Sequence, residues 1–206
     1  MATDNFTDTN GTLLNTHDSL WDTASGGDVD NGEINNNDLQ PAGDWTVCAA
    51  FYNNSQPADQ ESELGFKATT AFRFNRYAGV RKSSTNQGYE IFFSEGSGGN
   101  YTTLLMRKDG SWFATLASSG SWAYNIVHVA KIKVYGTSTT SIEGWVDGTQ
   151  IGSTQTDATS PITTGNPGLR IEGDGTREHT VTYWTDNITA GGGAKFPTPH
   201  LWWSEA

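Results

Sequence analysis

Hydrophobic and polar positions alternate with a period of two along much of this chain. Ala71-Phe72-Arg73-Phe74 does so, as does the longer run Ile126-Val127-His128-Val129-Ala130-Lys131-Ile132-Lys133-Val134-Tyr135. In the longer run Ile126, Ala130, Ile132 and Val134 fall on one face and Lys131 and Lys133 on the other, as in a half-buried strand. Similar patterning predicts strands at 63–68, 77–82, 88–93, 101–106, 111–116, 141–146, 168–171 and 180–190, with one short strand around 32–39. No segment holds an i, i+3, i+4, i+7 apolar pattern long enough to predict a substantial helix.

The turn residues agree with the strands. Lys108-Asp109-Gly110-Ser111 and Val146-Asp147-Gly148-Thr149 place Asp-Gly between strand-like runs, where tight hairpins need positive φ. Turn clusters recur about every 8–12 residues, the spacing of an antiparallel sandwich. The predicted fold class is therefore all-β, a two-sheet antiparallel sandwich. A length of 206 residues suits one domain. We place that domain at 1–190. Residues 191–206 open with Gly191-Gly192-Gly193, continue through Phe196-Pro197-Thr198-Pro199 and end in Leu201-Trp202-Trp203-Ser204-Glu205-Ala206. A glycine hinge, a proline-containing stretch and a two-tryptophan tip predict an extended C-terminal arm.

Residues of the AVILMFWYC set make up 34% of the chain, with 24 glycines besides, enough for a real core. No run of about 18 apolar residues exists to span a membrane. The opening Met1-Ala2-Thr3-Asp4-Asn5-Phe6 has neither the basic head nor the apolar stretch of an export signal, so synthesis in the cytoplasm is expected. Twelve Lys+Arg against 23 Asp+Glu leave a net charge of −11. That balance argues against nucleic acid and anionic membrane surfaces as partners. It leaves neutral partners, such as sugars and other proteins, and cations such as Ca²⁺. Cys48 is the only cysteine, which excludes an internal disulfide and a cysteine-based zinc site. Within Trp45-Thr46-Val47-Cys48-Ala49-Ala50-Phe51 it reads as a small buried residue.

Several patches, in order, resemble the concanavalin A-like lectin/glucanase jelly roll in its laminin G-like branch. Asp4-Asn5-Phe6, Asn10-Gly11-Thr12-Leu13-Leu14 and Trp21 are similar to the family's opening strand and loop. Val134-Tyr135-Gly136-Thr137 leads to Ile142-Glu143-Gly144-Trp145-Val146-Asp147-Gly148-Thr149, which resembles its "vDGt" hairpin. Gly165-Asn166-Pro167-Gly168-Leu169-Arg170-Ile171 is similar to "tGrpGlr", with Asn166 replacing the usual Arg. Asp186-Asn187-Ile188-Thr189-Ala190 resembles the closing strand. The resemblance covers about residues 4–190 and implies that the first and last strands lie side by side. It also implies a structural Ca²⁺ on that seam, with Asp186 and Asp4 as ligands beside backbone carbonyls, because Ca²⁺ takes about 6–8 oxygens. The alternative is that Asp186 and Asn187 close a turn by local hydrogen bonds. The acidic run Asp28-Val29-Asp30-Asn31-Gly32-Glu33 fails the EF-hand template, since its glycine is one place early and Leu39 stands where the bidentate acid belongs.

Family enzymes that cleave β-glucans carry two glutamates flanking an aspartate on one strand. The nearest match here, Glu90-Ile91-Phe92-Phe93-Ser94-Glu95, has Phe92 in place of that aspartate. At about 3.3 Å per residue, Glu90 and Glu95 lie about 16 Å apart on opposite faces unless a bulge intervenes. Glycoside hydrolysis needs carboxyls about 5–5.5 or about 6.5–9.5 Å apart. His128 reads as a core histidine with one hydrogen bond, and His17, His179 and His200 have no zinc spacing. No Tyr, His, Arg and Gln set of the kind lyases use on the concave sheet is identifiable. No catalytic residue is assigned.

The chain has 8 Trp, 7 Tyr and 9 Phe, more rings than a core of this size requires. Flat rings suit the C–H faces of sugars. Trp112, Trp122, Tyr124 and Trp145 are the candidate glycan contacts, and Trp184 stands between core and surface roles. Trp202 and Trp203 are candidate anchors to neighbouring protein subunits. Together these features predict a non-catalytic, surface-displayed jelly-roll module that binds glycans or decorates a multi-copy assembly through its arm. A bacteriophage virion accessory protein fits that description. The alternatives are a glycoside hydrolase or polysaccharide lyase on the same fold, and a purely architectural virion protein with no ligand.

Overall fold

A computed structural model describes residues 2–24, 28–43, 46–53, 56–68, 77–83, 87–95, 100–109, 112–123, 125–172 and 179–186. The alternating runs pair into two antiparallel sheets. The larger, ten-stranded sheet runs in the order Thr149–Gln150, Thr140–Val146, Val127–Tyr135, Gln60–Ala68, His179–Thr185, Asp38–Pro41, Gly32–Asn35 and Thr12–Leu13. Thr3–Asp4 adds to His179–Thr185, and Gln155–Asp157 adds to Thr140–Val146. The seven-stranded sheet runs Trp112–Ala123, Asn100–Asp109, Gln87–Glu95, Tyr77–Lys82, Asn166–Glu172, Val47–Tyr52 and Trp21–Thr23. This is the predicted all-β, two-sheet antiparallel jelly roll. The one α-helical element among the described residues is the single turn Leu14–His17, and none of their helices is long and apolar enough to cross a membrane.

The inner faces of both sheets make one core. Phe66, Ala130, Ile132, Val134 and Ile142 come from the larger sheet, and Cys48, Val80, Ile91, Phe93, Leu169 and Ile171 from the smaller. Cys48 is fully buried, and its thiol pKa is pushed far up by burial.

Several expectations need correction. The run at 32–39 is two strands, not one, because Asn36 and Asn37 adopt φ of 54° and 61° and fold it into a hairpin. Ile126 does not join the face of Ala130. It is 52% exposed in the turn after Asn125 (φ 64°), and the strand begins at Val127. His128 makes two hydrogen bonds rather than one, with Asp147 Oδ2 at 2.6 Å and the Ala123 carbonyl at 2.8 Å. Val47–Tyr52, an apolar run with no clean alternation, is a strand of the smaller sheet. The predicted strand at 71–74, the Gly110–Ser111 part of one turn, and the arm at 191–206 lie outside the described residues.

The first and last described strands meet as the resemblance implies. Thr3 and Asp4 pair with Thr185 and Trp184. The Ala2 amide donates to Asp186 Oδ1 at 2.7 Å, and the Asp186 amide returns to the Ala2 carbonyl at 3.1 Å. Beneath this seam Trp21 and Trp184 pack edge to face at 4.8 Å. Both are buried, so Trp184 belongs to the core.

His17 ties the first strand to the turn that follows it, through Asp4 Oδ1 at 2.9 Å and Asp8 Oδ2 at 3.1 Å. Burial alone would lower the imidazole pKa, but hydrogen bonds and charge from Asp4 and Asp8 outweigh it and hold it above the ordinary histidine value. A raised folded-state pKa gives stability that is full below the unfolded-state value and is lost as pH rises through the folded one. His17→Ala should therefore cost about 1–2 kcal/mol near pH 5.5, somewhat below the roughly 1.5–3 kcal/mol of hydrogen bonds to charged groups because solvent screens the partly exposed Asp8. The gap should shrink as the pH is raised past neutrality. Urea unfolding of both proteins across that range tests this; a gap that grows with pH would contradict it.

Candidate functional site

The outer face of the seven-stranded sheet is built by one backbone irregularity. In a regular strand Tyr77–Lys82 would turn Arg81 outward and Lys82 into the core, because Ala78 and Val80 face inward. Arg81 instead has φ of 52°. The three-residue step from Gly79 to Lys82 opposes only the two-residue step from Gly168 to Asn166, which makes a β-bulge. The bulge exchanges the two side chains.

Arg81 swings into the end of the sandwich and is fully buried. Its guanidinium donates to the Ala58 carbonyl at 3.0 and 2.8 Å, the Gly136 carbonyl at 2.7 Å, Thr140 Oγ1 at 2.7 Å and the Ile162 carbonyl. Oxygen dipoles replace the lost water around the charge, and burial lowers its pKa.

Lys82 swings onto the outer face, where its stem lies along Gly79. A Cβ on Gly79 would stand 2.6 Å from Lys82 Cδ, so the stem needs glycine beneath it. Its ammonium pairs with Glu90, the residue directly across from Gly79, and both side chains are buried. Register extends this row across the sheet as Met106, Glu90, Gly79, Gly168, Phe51 and Asp22. Gly168 is required as well, since a Cβ there would lie 2.2 Å from the Ala50 carbonyl oxygen. Two residues along the same strands stand Phe92 and Arg170. Arg170 meets Glu172 with Nε at 2.7 Å and Nη2 at 2.5 Å, and both side chains are partly exposed. The face thus has a buried ionic floor, a partly exposed Arg–Glu fork, and part-buried Phe92 and Met106. It can offer paired donors and acceptors to hydroxyls beside apolar surface for C–H groups.

A concavity of about 240 Å³ opens at the end of the sandwich, lined by Gln87, Arg107, Asp109, Ser160, Thr163 and Thr164 among others. Its polar groups are engaged with one another. Arg107 donates to Asp157 at 2.7 Å, to Asp109 at 3.2 Å and to the Ser160 carbonyl at 2.6 Å. Tyr89 donates to Asp157 at 2.8 Å. Burial would raise the Asp157 pKa, but Tyr89, the Ser160 amide and Arg107 bring it below the usual carboxylate value. This is a brace for the 157–164 segment.

Of the four rings expected to touch glycan, the two whose side chains are described, Trp145 and Trp122, stand in different places. Trp145 lies on the outer face of the other sheet, with Lys131 and Lys133 ammonium groups 5.6 and 5.5 Å from its ring. Trp122 packs on the core edge, at 5.9 Å from His128 and edge to face, with no hydrogen-bond partner for Nε1 among the described residues. The Trp112 side chain, Tyr124, Trp202 and Trp203 lie outside the described residues. Arg170, Phe51 and Lys82 went unnoticed in the sequence. Their signal was the pair of glycines Gly79 and Gly168, legible only once register is known.

Asp4 and Asp186 do share the seam, but Asp4 is arranged for N–H donors. Oδ1 accepts from the Phe6 amide at 2.7 Å and from His17, while Oδ2 accepts from Trp21 Nε1 at 2.7 Å. Ca²⁺ would have to face three donor groups there, so the Asp4 environment does not fit it. Asp186 is engaged by Ala2 and by Gln56 Nε2 at 3.3 Å. Among the described residues no group of three or more His, Cys, Asp or Glu could hold a metal. Both seam carboxylates are thus engaged by N–H donors.

The strand that carries the nearest glutamate pair is regular. Residues 87–95 pair with 100–109 without a register shift, so the bulge that might bring positions 90 and 95 to one face is missing. The Glu95 side chain lies outside the described residues.

No protein-family model matches the chain, and no curated protein matches it in sequence. Solved structures do match. The alginate lyase Aly36B aligns at TM-score 0.60 and 10% identity, over 89% of this chain and 93% of that one. The metal-free carbohydrate recognition domain of Emp46p aligns at 0.58 and 10%, over 89% and 97%; a potassium-bound form of that domain matches too. The GH43 protein BlXynB of Bacillus licheniformis aligns at 0.57 and 12%, over 88% of this chain but only 38% of its own. At such identities the likeness is one of fold, that of the concanavalin A-like jelly roll.

Lys82→Met should destabilise the protein by about 3–5 kcal/mol, because it leaves the Glu90 carboxylate buried without its ammonium. Adding Glu90→Leu should recover most of that loss. A double-mutant cycle by chemical denaturation measures the coupling; strictly additive losses would show that the two groups do not act as a pair.

Proposed function

We propose that the chain is a non-catalytic carbohydrate-binding module that takes glycan on the outer face of its seven-stranded sheet. The observation that carries this is the bulge at Arg81, which exchanges two cations and sets the Lys82–Glu90 floor beside Arg170–Glu172 and Phe92. Backbone irregularities that re-aim side chains gather at functional faces. A carbohydrate ligand is consistent with fold neighbours that are a carbohydrate recognition domain, a GH43 protein and a lyase whose mutant has a structure in complex with alginate tetrasaccharide.

The carboxylates of this face argue against hydrolysis. Glu90 and Glu172 are two strands and four residues apart, about 16 Å by strand spacing and rise, beyond either hydrolytic separation. Lys82 Nζ is buried against Glu90 and so is out of reach of a substrate proton. Display is the remaining part of the proposal. Trp202 and Trp203, beyond the glycine hinge, would seat the module on neighbouring subunits of a multi-copy assembly such as a virion, and many weak sites would act together by avidity.

Titration against a panel of oligosaccharides should find a ligand, and Arg170→Ala and Phe92→Ala should each weaken it about tenfold, roughly 1.4 kcal/mol. Neither new reducing ends nor unsaturated products should form. Turnover that disappears in Glu90→Gln would replace this proposal with an enzyme. Removing residues 191–206 should leave the melting temperature unchanged and abolish incorporation into the assembly; a truncated chain that still incorporates would refute the anchor.

A further inference from the structure

Resting on the glycan-binding proposal, we infer that Gln60, a core residue of the opposite sheet, is a positioning residue for the ligand face and acts through the backbones on both sides of the Arg81 bulge. Gln60 and Ser62 are buried with Leu64 and Phe66 along the inward side of Gln60–Ala68. A polar group in such a place costs stability unless its hydrogen bonds are met. Gln60 is 4% exposed, and its amide reaches three backbone groups. Oε1 accepts from the Arg81 amide at 2.7 Å, and Nε2 donates to the Gly165 carbonyl at 2.6 Å and the Pro57 carbonyl at 3.0 Å. One N–H and two carbonyls leave a single orientation for the side-chain amide.

Two of these partners stand on opposite sides of the bulge. A bulge takes one residue off the ladder, and here Gln60 supplies the acceptor for the Arg81 amide. Gly165 leads into the partner strand, whose Asn166 stands opposite Lys82. The two backbones are in close contact: with Gly165 at φ of 119°, a Cβ there would stand 2.4 Å from the Arg81 carbonyl oxygen and 2.6 Å from that of Lys82. One amide therefore clamps both strands where Arg81 turns inward and Lys82 outward. An apolar residue of equal length would fill the space and hold neither backbone. A carboxylate would keep the acceptor and lose both donors.

The test compares Gln60→Met and Gln60→Glu with the unsubstituted chain, each at full length and below its own melting temperature. Cello-, xylo- and alginate hexamers are the probes, and NMR follows hydrogen exchange at the Arg81 amide. Gln60→Met should bind the tightest of these probes about tenfold more weakly. Its Arg81 amide should exchange at least about tenfold faster. Gln60→Glu should keep that amide protected yet bind as weakly as Gln60→Met, because the Gly165 side is released. A purely structural role would lower the melting temperature and leave the affinity of the folded chain unmoved. That result, or failure of both variants to fold, would overturn the positioning role and leave glycan binding standing. So would unchanged exchange in Gln60→Met, or Gln60→Glu binding as tightly as the unsubstituted chain. If the unsubstituted chain binds none of the probes, nor any glycan on a wider array, the glycan-binding proposal falls and this one with it.

Discussion

The outer face of the smaller sheet depends on Arg81 holding a left-handed backbone conformation. Such a conformation costs a side-chain-bearing residue of order 1–2 kcal/mol. It persists because the guanidinium it delivers satisfies carbonyls of three separate segments, at Ala58, Gly136 and Ile162. Buried carbonyls need donors, and the guanidinium supplies them here beside Thr140 Oγ1, which also donates to Gly136. A regular strand would have withdrawn that guanidinium and put the Lys82 ammonium into an apolar core. One torsion angle thereby settles where two cations go.

The segment just before Gln60–Ala68 connects this arrangement to the seam of the chain ends. Gln56 reaches Asp186, the Ala58 carbonyl receives Arg81, and Asp59 accepts from the Gly136 amide at 2.9 Å. Gln60 accepts from the Arg81 amide at 2.7 Å and donates to the Gly165 carbonyl at 2.6 Å. Further in, Trp184 donates to Ser62 Oγ, which donates to the Gly168 carbonyl, at 3.0 Å each. The larger sheet thus holds the backbone of the glycine row from behind. The terminal pairing and the outer face are two ends of one hydrogen-bonded path, and disturbance at the seam has a physical route to the face.

Much of the fold was legible because it follows from local pattern. The alternation at 127–135 and the Asp147-Gly148 turn, with φ of 48° and 75°, specify a strand and a hairpin without reference to anything distant. The meeting of Asp4 and Asp186 was legible through resemblance alone. The site was not. Nothing local distinguishes Arg81 from Lys82 in Gly79-Val80-Arg81-Lys82, and their exchange appears only when Asn166–Glu172 pairs beside them. Trp145 alternates outward as expected, but on the larger sheet and beneath two lysines, which composition cannot reveal.

The placement of charge separates the acidity of the whole chain from the charge on its sheet faces. Along the strands, cations and acids stand in register: Lys133 reaches Glu61 at 2.9 Å and Lys131 reaches Glu63 at 3.7 Å on the larger sheet. Beside them, burial and Glu63 push the Tyr183 phenol up to about 12. The smaller sheet repeats the pattern in Lys82–Glu90 and Arg170–Glu172. Much of the excess acid stands in turns and connections, as exposed Asp8, Asp28, Asp30, Asp59 and Asp147. There it interacts with water and long-range fields more than with anything seated on a sheet. Net charge therefore sets what approaches the molecule, whereas the in-register pairs set what can stay on its faces. The two need not agree in sign, because a paired cation and anion a few ångströms apart have cancelled each other before any ligand arrives.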